Sequence, residues 1–525
     1  LALDGDEVPE WMDDGKLGLD VYYDERTYDE MKKAVEGVIG AERDRTAELR
    51  EILVGEKEAE TLRRNPESRS HFNTAQNAAL DLIHQSTDVA IIHGPPGTGK
   101  TTTLVQAIRE AITPGQQLLV CAPSNLATDL LTEKLGATGV KVLRIGHPAR
   151  VSEIVQQHSL DMQLRNHPRY KEMKSLRREA EQIRRQALKF KRKFGHEERQ
   201  QRRTLLSDAR GRQHEARDLE GFMLTSLLEN ASVITSTLTG AANKMLKDRR
   251  FAAVFIDEAA QALEPTCWIA IRKAERVVFA GDHCQLPPTV KSRTAEKGGF
   301  SHTLFEKVIA DKSVDVMLDT QYRMHSQLMT FSSREFYKDA LEAHSTVADH
   351  RLSTDANQPV LNLPLQFVDT AGCGFDEQQA PGATSLHNAG EATVLFQHLS
   401  QLRDTLPKDA RPSIGLISPY KAQVNHLREQ AAQHGHTDLA IDTVDGFQGN
   451  ERDIIYISCV RSNRDGQIGF LSDIRRMNVA MTRARKKLVV VGDSATLAHH
   501  GFYQRWLAYF EEVGAYGSAW EFMSW

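Results

Sequence analysis

The sequence lacks the marks of membrane, exported and disulfide-rich proteins. No stretch approaches the roughly 18 uncharged apolar residues that span a bilayer, and the start, "LALDGDEVPEW", has neither the basic beginning nor the apolar core of a secretory signal. The five cysteines are scattered without any C-x-x-C pair, which argues against a zinc site and a disulfide framework. We therefore expect an intracellular, cytoplasmic protein, with the nucleus left open and no membrane partner.

Length and charge indicate several parts. At 525 residues the chain exceeds what one hydrophobic core organises, so two large domains are expected. The net charge of −5 hides strong segregation, because residues 165–217 carry 18 Lys/Arg against seven Asp/Glu. This basic region has few strand signals and predicts a helical insertion at about residues 150–228. Its charge is either a solvated surface or a contact for nucleic acid.

Short apolar runs alternate with helical stretches along most of the chain. Runs such as "DVAIIHG", "QLLVCAP" and "RVVFAGD" are rich in β-formers and end in polar or glycine residues, which is typical of parallel sheets covered by helices. We predict an α/β domain over residues 71–325 and a second one over residues 326–525. Residues 27–64 begin with a capping box, Thr27 with Glu30, and predict one or two long polar helices before the first domain.

The clearest chemical motif is "GPPGTGKT", residues 94–101, which stands between a predicted strand and an amphipathic helix. Its glycines allow backbone amides to wrap phosphates at a helix N-terminus. Lys100 is expected to reach the β and γ phosphates, and Thr101 to offer a hydroxyl to Mg²⁺. The second predicted domain has no such motif, so the two domains are expected to share one nucleotide site.

Two further strand ends supply acids and an amide. In "AAVFIDEA" Asp257 is placed to hold Mg²⁺, and Glu258 to take a proton from the attacking water. In "FAGDHCQLPPTV" Gln285 is interpreted as a γ-phosphate sensor or water-orienting group, whereas His283 and Cys284 beside it are interpreted as structural. Paired acids favour hydrolysis of ATP over simple storage of the nucleotide.

Eight segments in fixed order carry a family resemblance: "NTAQNAAL", "GPPGTGKT", "CAPSNLATD", "FIDEAAQA", "GDHCQLPP", "QYRMH", "TVDGFQGNERD" and "NVAMTRAR". Together they resemble superfamily 1B helicases of the up-frameshift-like group, which includes the immunoglobulin mu-binding helicase. The resemblance implies two tandem RecA-like domains, with a helical stalk and a basic helical insertion in the first. Residues 1–70 would then be the remnant of an accessory barrel and its stalk helix.

The resemblance also assigns site residues. Gln76 would read the adenine edge, Tyr322 would stack on the base, and Glu451 would lie near the sugar. Arg323 and Arg483 would reach from the second domain to the γ-phosphate, so that hydrolysis depends on closure of a cleft. The residues implied to cradle the nucleotide phosphates are Gly94, Pro95, Pro96, Gly97, Thr98, Gly99, Lys100, Thr101 and Thr102.

A track for nucleic acid is implied across both domains. Its residues are mostly small and polar, which suits contacts to phosphates and hence binding without sequence preference. Tyr420 either stacks on a base or packs in the core. The track residues implied by the resemblance are Pro123, Ser124, Asn125, Thr237, Pro419, Tyr420, Thr443 and Asp445.

The expected function is that of a monomeric, ATP-dependent 5′ to 3′ helicase or translocase on single-stranded RNA or DNA, with polarity resting on the resemblance alone. One alternative is a nucleic-acid-stimulated ATPase that remodels nucleoprotein complexes without processive unwinding. A ring-forming ATPase that acts on proteins would lack the second strand-rich domain bearing "TRAR". A guanine-nucleotide switch is disfavoured because "NKMLKD" has Leu246 where the guanine-reading acid should stand.

Overall fold

The computed structural model describes residues 25–63, 65–146, 151–189, 195–309, 314–352, 359–379, 384–407 and 409–523. The part of the predicted accessory remnant that precedes residue 25 lies outside the described residues. None of the described helices is long and apolar enough to cross a membrane.

The first α/β domain is built on a parallel sheet that contains seven strands within the described residues, in the order β3-β4-β2-β5-β6-β1-β7. Helices cover both faces, so β1 to β6 are buried throughout or nearly so and read as continuous apolar runs, whereas the edge strand β7 is half-buried. The strands are β1 (Val89–His93), β2 (Leu118–Ala122), β3 (Val142–Ile145), β4 (Val233–Thr237), β5 (Ala253–Ile256), β6 (Val277–Gly281) and β7 (Asp315–Met317).

The described helices of this part of the chain include the stalk, the cover of the sheet and the insertion between β3 and β4. They are α1 (Arg26–Ile39), α2 (Arg45–Leu53), α3 (Thr74–Gln85), α4 (Lys100–Ala111), α5 (Asn125–Ala137), α6 (Leu160–Arg165), α7 (Tyr170–Leu188), α8 (His196–Asn230), α9 (Glu264–Ile271), α10 (Arg293–Ala295) and α11 (Leu304–Val308).

The second α/β domain repeats this architecture with a six-stranded parallel sheet within the described residues, in the order β14-β13-β15-β16-β10-β17. Two short pairs lie outside both sheets: β8 (Thr320–Gln321) with β9 (Glu342–Ala343), and β11 (Gln378–Gln379) with β12 (Leu386–His387). The sheet strands are β10 (Leu365–Asp369), β13 (Ile414–Ser418), β14 (Leu439–Thr443), β15 (Arg452–Ser458), β16 (Ala484–Gly492) and β17 (Tyr516–Ser518). The described helices are α12 (Ser326–Phe336), α13 (Ala389–Thr405), α14 (Lys421–Gln433), α15 (Ile474–Met481), α16 (Ser494–Leu497) and α17 (Gly501–Glu512).

Two helices occupy much of residues 27–64, which is one of the predicted alternatives, but the predicted capping box at Thr27 is wrong. The first helix begins at Arg26, and Glu25 before it already has helical backbone angles, so Thr27 lies inside the first turn and caps nothing. The second helix begins after a turn, where Asp44 accepts a hydrogen bond from the Ala47 amide. Both helices bury an apolar side, which packs into the core of the first domain.

The basic insertion consists mainly of α7 and α8, which pack along each other around a small apolar cluster. Part of its charge is neutralised between the two helices: Arg177 Nη2 lies 2.7 Å from Glu220 Oε2, and Arg212 Nε lies 3.7 Å from Glu179 Oε2. Such exposed pairs contribute little to stability.

Candidate active site

The phosphate loop follows β1 and leads directly into α4. Gly97 and Gly99 have left-handed φ angles of 79° and 78°, which glycine adopts without the steric cost that a side chain adds. A Cβ atom at Gly94 would lie 2.6 Å from Cβ of Lys100. The glycines therefore give the loop a conformation in which backbone amides can face a phosphate at the start of a helix.

Lys100 meets both acids at the carboxyl end of β5. Its Nζ lies 2.6 Å from Oε1 of Glu258 and 3.2 Å from Oδ1 of Asp257. Burial alone would lower the pKa of Lys100, but the two carboxylates outweigh it and raise this pKa above its ordinary value. The predicted phosphate-binding lysine and the predicted acids are thus in direct contact.

Glu258 has a strained backbone. Its φ of 52° lies in the left-handed region, which costs a residue with a side chain of the order of 1 kcal/mol or more. Two bonds fix the residue: its amide donates to Oδ1 of Asp257 at 2.9 Å, and Nε2 of Gln261 donates to its Oε2 at 2.7 Å. The strain directs this carboxylate toward Lys100 at the end of the strand.

The segment "QYRMH" lies against the phosphate loop. The Tyr322 amide donates to the Gly97 carbonyl oxygen at 2.8 Å, and a Cβ atom at Gly97 would lie 2.7 Å from Cβ of Arg323. The Tyr322 ring is 39% exposed and lies 4.6 Å from the His344 ring, centroid to centroid. Its hydroxyl accepts a hydrogen bond from Nδ2 of Asn73 at 3.0 Å. A partly exposed aromatic face therefore stands beside the loop.

Gln76 contacts the other side of the loop. Its Nε2 donates to the Thr98 carbonyl oxygen at 3.0 Å, while its Oε1 accepts from the Asn73 amide in a capping box at the start of α3. The side chain is buried, and Nε2 would lie 2.8 Å from a Cβ atom at Gly99. Gln76 thus orients the phosphate loop in this conformation, and its contact with adenine stays a prediction.

Glu451 of the second domain meets two arginines: the predicted Arg323, next to Met324 in the apolar core of the second domain, and Arg485, whose role the sequence left open. Arg323 and Arg485 both form ion pairs with Glu451, and Nη1 of Arg323 donates to the Thr482 carbonyl oxygen at 3.1 Å. Burial opposes ionisation of Glu451, but the two guanidinium groups outweigh it and lower the pKa of its carboxyl. Glu451 thereby orients Arg323 beside the phosphate loop.

Arg483 is fully buried at the same junction. Its Nε donates to the Val479 carbonyl oxygen at 2.9 Å, and its Nη2 lies 3.5 Å from Oε1 of Gln285. Burial and the positive charge of Arg323 lower the pKa of Arg483 to about 9. A guanidinium group held without an ion pair of its own would be stabilised by an incoming phosphate.

Sequence reasoning missed a buried acid between the two domains. Asp282 receives four hydrogen bonds: from Nε2 of His93 at 3.3 Å, the Cys284 amide at 3.0 Å, Nε2 of Gln285 at 2.7 Å and the Tyr337 hydroxyl at 2.7 Å. It therefore joins the start of the phosphate loop, the predicted sensor and the second domain. The position of Asp282 directly after an apolar strand could have indicated a site residue, whereas no local pattern in the sequence points to Tyr337.

Asn478 completes this junction from α15. Its Nδ2 donates to the Cys284 carbonyl oxygen at 2.8 Å and to the Tyr337 hydroxyl at 3.2 Å, while Ser332 donates to its Oδ1 at 2.6 Å. Cys284 and Leu286 pack in the apolar core of the second domain. The loop that follows β6 is thus held by both domains at once.

The residues of the implied nucleic-acid track share one structural position. Pro123, Ser124 and Asn125 follow β2, and Thr237 ends β4, its neighbour in the first sheet. Pro419 follows β13, and Thr443 ends β14, its neighbour in the second sheet. The carboxyl ends of parallel strands share one edge of a sheet, so each domain presents its part of the track on one edge.

Tyr420 is placed in the core rather than on the surface. It is 2% exposed, and its hydroxyl accepts hydrogen bonds from the Phe470 amide at 3.2 Å and from Nη1 of Arg461 at 3.4 Å. Of the two alternatives that the sequence left open for Tyr420, the structure favours packing in the core. Asp445 of the same predicted track is exposed and pairs with Arg476 at 3.5 Å.

A phosphate loop, paired acids and arginines from a second parallel-sheet domain together define a two-domain P-loop nucleotide-binding protein. Two family profiles, both described as AAA domain, match residues 71–293 and 300–495. The DNA-binding protein SMUBP-2 of Mus musculus is 36% identical over 523 residues, 97% of this chain and 51% of that protein. The DNA polymerase alpha-associated DNA helicase A of Saccharomyces cerevisiae is 34% identical over 84% of this chain and 68% of that protein.

A third relative is a regulator of nonsense transcripts 1 homolog from Drosophila melanogaster, 34% identical over 81% of this chain and 34% of that protein. The chain belongs to the up-frameshift-like group of superfamily 1B helicases. The chain spans about half the length of SMUBP-2.

Proposed function

We propose that the protein is an ATP-dependent motor that moves 5′ to 3′ along single-stranded RNA or DNA and unwinds duplexes. The observation that carries this proposal is the double contact of Arg323, which lies against Gly97 of the phosphate loop and pairs with Glu451 of the second domain. One nucleotide site would then draw residues from both domains, so its occupancy would control how the domains sit against each other. The names of the relatives refer to DNA binding, a DNA helicase and nonsense transcripts, which supports a nucleic-acid substrate.

In this mechanism a nucleotide phosphate competes with carboxylates for Lys100. The ammonium group now pairs with Asp257 and Glu258, and phosphate binding in the loop would draw it away from them. Glu258 would then be free to accept the proton of the attacking water. The strained backbone of Glu258 keeps its carboxylate at the strand end while its partner moves.

The residues present fit a magnesium ion. Thr101 stands in the first turn of α4, and Asp257 is a buried carboxylate beside a cation, which is an oxygen donor set of the kind that Mg²⁺ prefers. We propose that these two residues hold Mg²⁺, which would neutralise phosphate charge when bound. Arg323 and Arg483 would supply further positive charge at the γ-phosphate from the second domain.

Hydrolysis would be linked to the nucleic-acid track through the strands themselves. β5 leads directly into Asp257 and lies beside β2, whose carboxyl end leads into Pro123 and Ser124. In the second domain Glu451 directly precedes β15, which lies beside β13, the strand that leads into Pro419. A shift of one sheet relative to the other would thus change the spacing of the two halves of the track.

The proposal also covers the oligomeric state and the cellular location of the protein. We propose a monomeric motor, because a single nucleotide site takes residues from both domains of one chain. All five cysteines are free, which supports a reducing, intracellular location.

Unwinding of matched duplexes tests polarity and activity together. The same duplex is prepared with a 5′ or a 3′ single-stranded tail, and strand release with ATP is measured for the wild type and for Lys100→Ala as a control. The proposal expects release of the 5′-tailed duplex alone. Opening of only the 3′-tailed duplex would contradict the polarity, and ATP turnover without any release would support remodelling without processive unwinding.

A further inference from the structure

An exposed phenylalanine stands on the surface of the second domain beside the predicted track. Phe470 is 59% exposed and belongs to the short 3₁₀ turn Gly469–Ser472. Within residues 409–523, which the structure describes without a gap, the exposed large hydrophobic side chains are Phe470, Tyr516 and Trp520, and the other two are far from Phe470 in sequence. One apolar ring is too small for a protein interface but matches one nucleic-acid base.

The ring rests on a rigid base. The backbone amide of Phe470 donates to the Tyr420 hydroxyl at 3.2 Å, and the rings of Phe470 and Tyr420 lie 5.4 Å apart, centroid to centroid. The next carbonyl oxygen, that of Leu471, accepts a hydrogen bond from the buried Tyr503 hydroxyl at 2.8 Å. The backbone at Phe470 and Leu471 is therefore fixed. Binding of a ligand to the exposed ring would then cost little further backbone entropy.

The preceding glycine fixes the same geometry. Gly469 has a left-handed φ of 53°, and a Cβ atom there would lie 2.6 Å from Nη1 of Arg461 and 2.7 Å from the Tyr420 hydroxyl oxygen. Arg461 is itself buried and pairs with Glu377 at 3.0 Å between Nε and Oε2. The turn thus packs closely on a buried ion pair, and Phe470 is directed outward.

The position of Phe470 lies between two predicted track segments. It contacts Tyr420, which follows β13 and Pro419. Three residues along the chain Asp473 pairs with Arg476 at 3.3 Å, and Arg476 reaches Asp445, just beyond the end of β14, at 3.5 Å. The turn that carries the ring is therefore joined to the chain at the carboxyl ends of both β13 and β14.

We propose that Phe470 is a base-stacking platform for the single strand, with Tyr420 as its buried support. This inference rests on the proposed function and adds a contact to a base where the predicted track offers mainly contacts to phosphates. Stacking is sequence-tolerant because every base has a π face. The contact would thus strengthen binding without creating a sequence preference.

The test compares strands with and without bases. Binding is measured by fluorescence anisotropy for a mixed-sequence single-stranded DNA and for an all-abasic strand of equal length, with wild type, Phe470→Ala and Phe470→Trp. We expect Phe470→Ala to bind the normal strand about tenfold more weakly than wild type. The two proteins should bind the abasic strand equally, and Phe470→Trp should stay close to wild type on both strands.

Two controls separate stacking from general damage. Tyr28→Ala removes another exposed aromatic ring, 52% exposed on α1 and remote from the predicted track, and should leave both affinities unchanged. Thermal melting shows whether each variant is folded. Unchanged binding in Phe470→Ala, or an equal loss on the abasic strand, would overturn the stacking role alone. A wild type that binds neither strand would overturn the proposed function as well.

Discussion

The two parallel sheets of this protein end in very different ways at their carboxyl edges. In the first domain the edge carries ionised groups in contact, with Lys100 between Asp257 and Glu258. In the second domain hydrogen-bonded amide and hydroxyl side chains help to close the corresponding edge. Gln423 in the first turn of α14 donates from Nε2 to the Asn388 carbonyl oxygen at 3.0 Å and to Ser458 Oγ at 2.9 Å.

A buried glutamate completes the closed edge. Glu391 is fully buried, and its Oε2 accepts from Ser458 Oγ at 2.7 Å and from the Val460 amide at 2.8 Å. Burial raises the pKa of Glu391 to about 8, so this carboxyl is largely neutral at pH 7. The carboxyl edge of the second sheet therefore contains a buried glutamic acid that is largely neutral, whereas the carboxyl edge of the first sheet contains two carboxylates paired with a lysine.

The difference shows how one architecture serves two roles. A sheet edge becomes a phosphate site only when glycines open the loop and charged side chains face it, as at Gly97 and Lys100. The second domain keeps the fold but contributes to the nucleotide through its flank, where Arg323 and Arg483 stand. Four predictions test this contrast, beginning with the largest effect.

The first prediction concerns Lys100 and Glu258, the cation and one of the acids at the carboxyl edge of the first sheet. Lys100→Ala and Glu258→Gln should each lower ATP turnover by at least about a thousandfold, because one removes phosphate binding and the other the base. Glu258→Gln should retain ATP binding, since it leaves the loop intact and releases Lys100 from an ion pair. Turnover and equilibrium binding of a fluorescent ATP analogue are measured for both. Equal loss of binding in the two variants would refute these roles.

The second prediction concerns the flank of the second domain. Arg323→Ala should lower turnover by about a thousandfold and ATP affinity only severalfold, because an arginine at the γ-phosphate acts mainly on the transition state. The matched control is Arg334→Ala, which removes an exposed arginine of the same domain that pairs with Glu512 at 2.9 Å. A pure binding defect in Arg323→Ala would place the residue outside the chemistry.

The third prediction addresses the junction at Asp282. Tyr337→Phe deletes one hydroxyl that donates to this buried carboxylate from the second domain. Loss of a hydrogen bond to a charged group costs about 1.5 to 3 kcal/mol. We expect nucleic-acid-stimulated turnover to fall about tenfold or more while turnover without nucleic acid changes less. Equal falls in both rates would show a role in folding rather than in the link between domains.

The fourth prediction concerns the closed edge and pH. A free glutamate has a pKa of about 4.3, so between that pH and about 8 the folded protein holds a proton on Glu391 that the unfolded chain releases. This group therefore makes the free energy of unfolding fall as pH rises through that window, by about 5 kcal/mol at most.

Glu391→Gln should remove this pH dependence. Denaturation midpoints of wild type and variant are compared from pH 5 to pH 8.5, and the difference isolates Glu391 from other titrating groups, such as the buried Lys487. The variant should gain stability relative to wild type as pH rises. A constant difference between the two proteins would contradict the neutral state of Glu391.

Much of this molecule could be predicted from local sequence signals. Continuous apolar runs identified β1 and β2, and glycine spacing located the phosphate loop, because both signals lie within a few residues. The sequence did not indicate β10, which has no motif beside it, or β17, which spans three residues. It also missed Tyr337 and Phe470, whose roles depend on distant parts of the chain, namely Asp282 and Tyr420. The predicted capping box at Thr27 was wrong because the helix begins one residue earlier, at Arg26.

The central claim is that one nucleotide site, shared by both domains, drives movement on nucleic acid. Its most direct test is steady-state ATP turnover of the wild type alone and with single-stranded RNA or DNA of equal length. The account predicts that at least one strand raises turnover about tenfold or more, because binding across both domains favours the closed cleft. Turnover that is lost in Lys100→Ala but unchanged by either strand would contradict it.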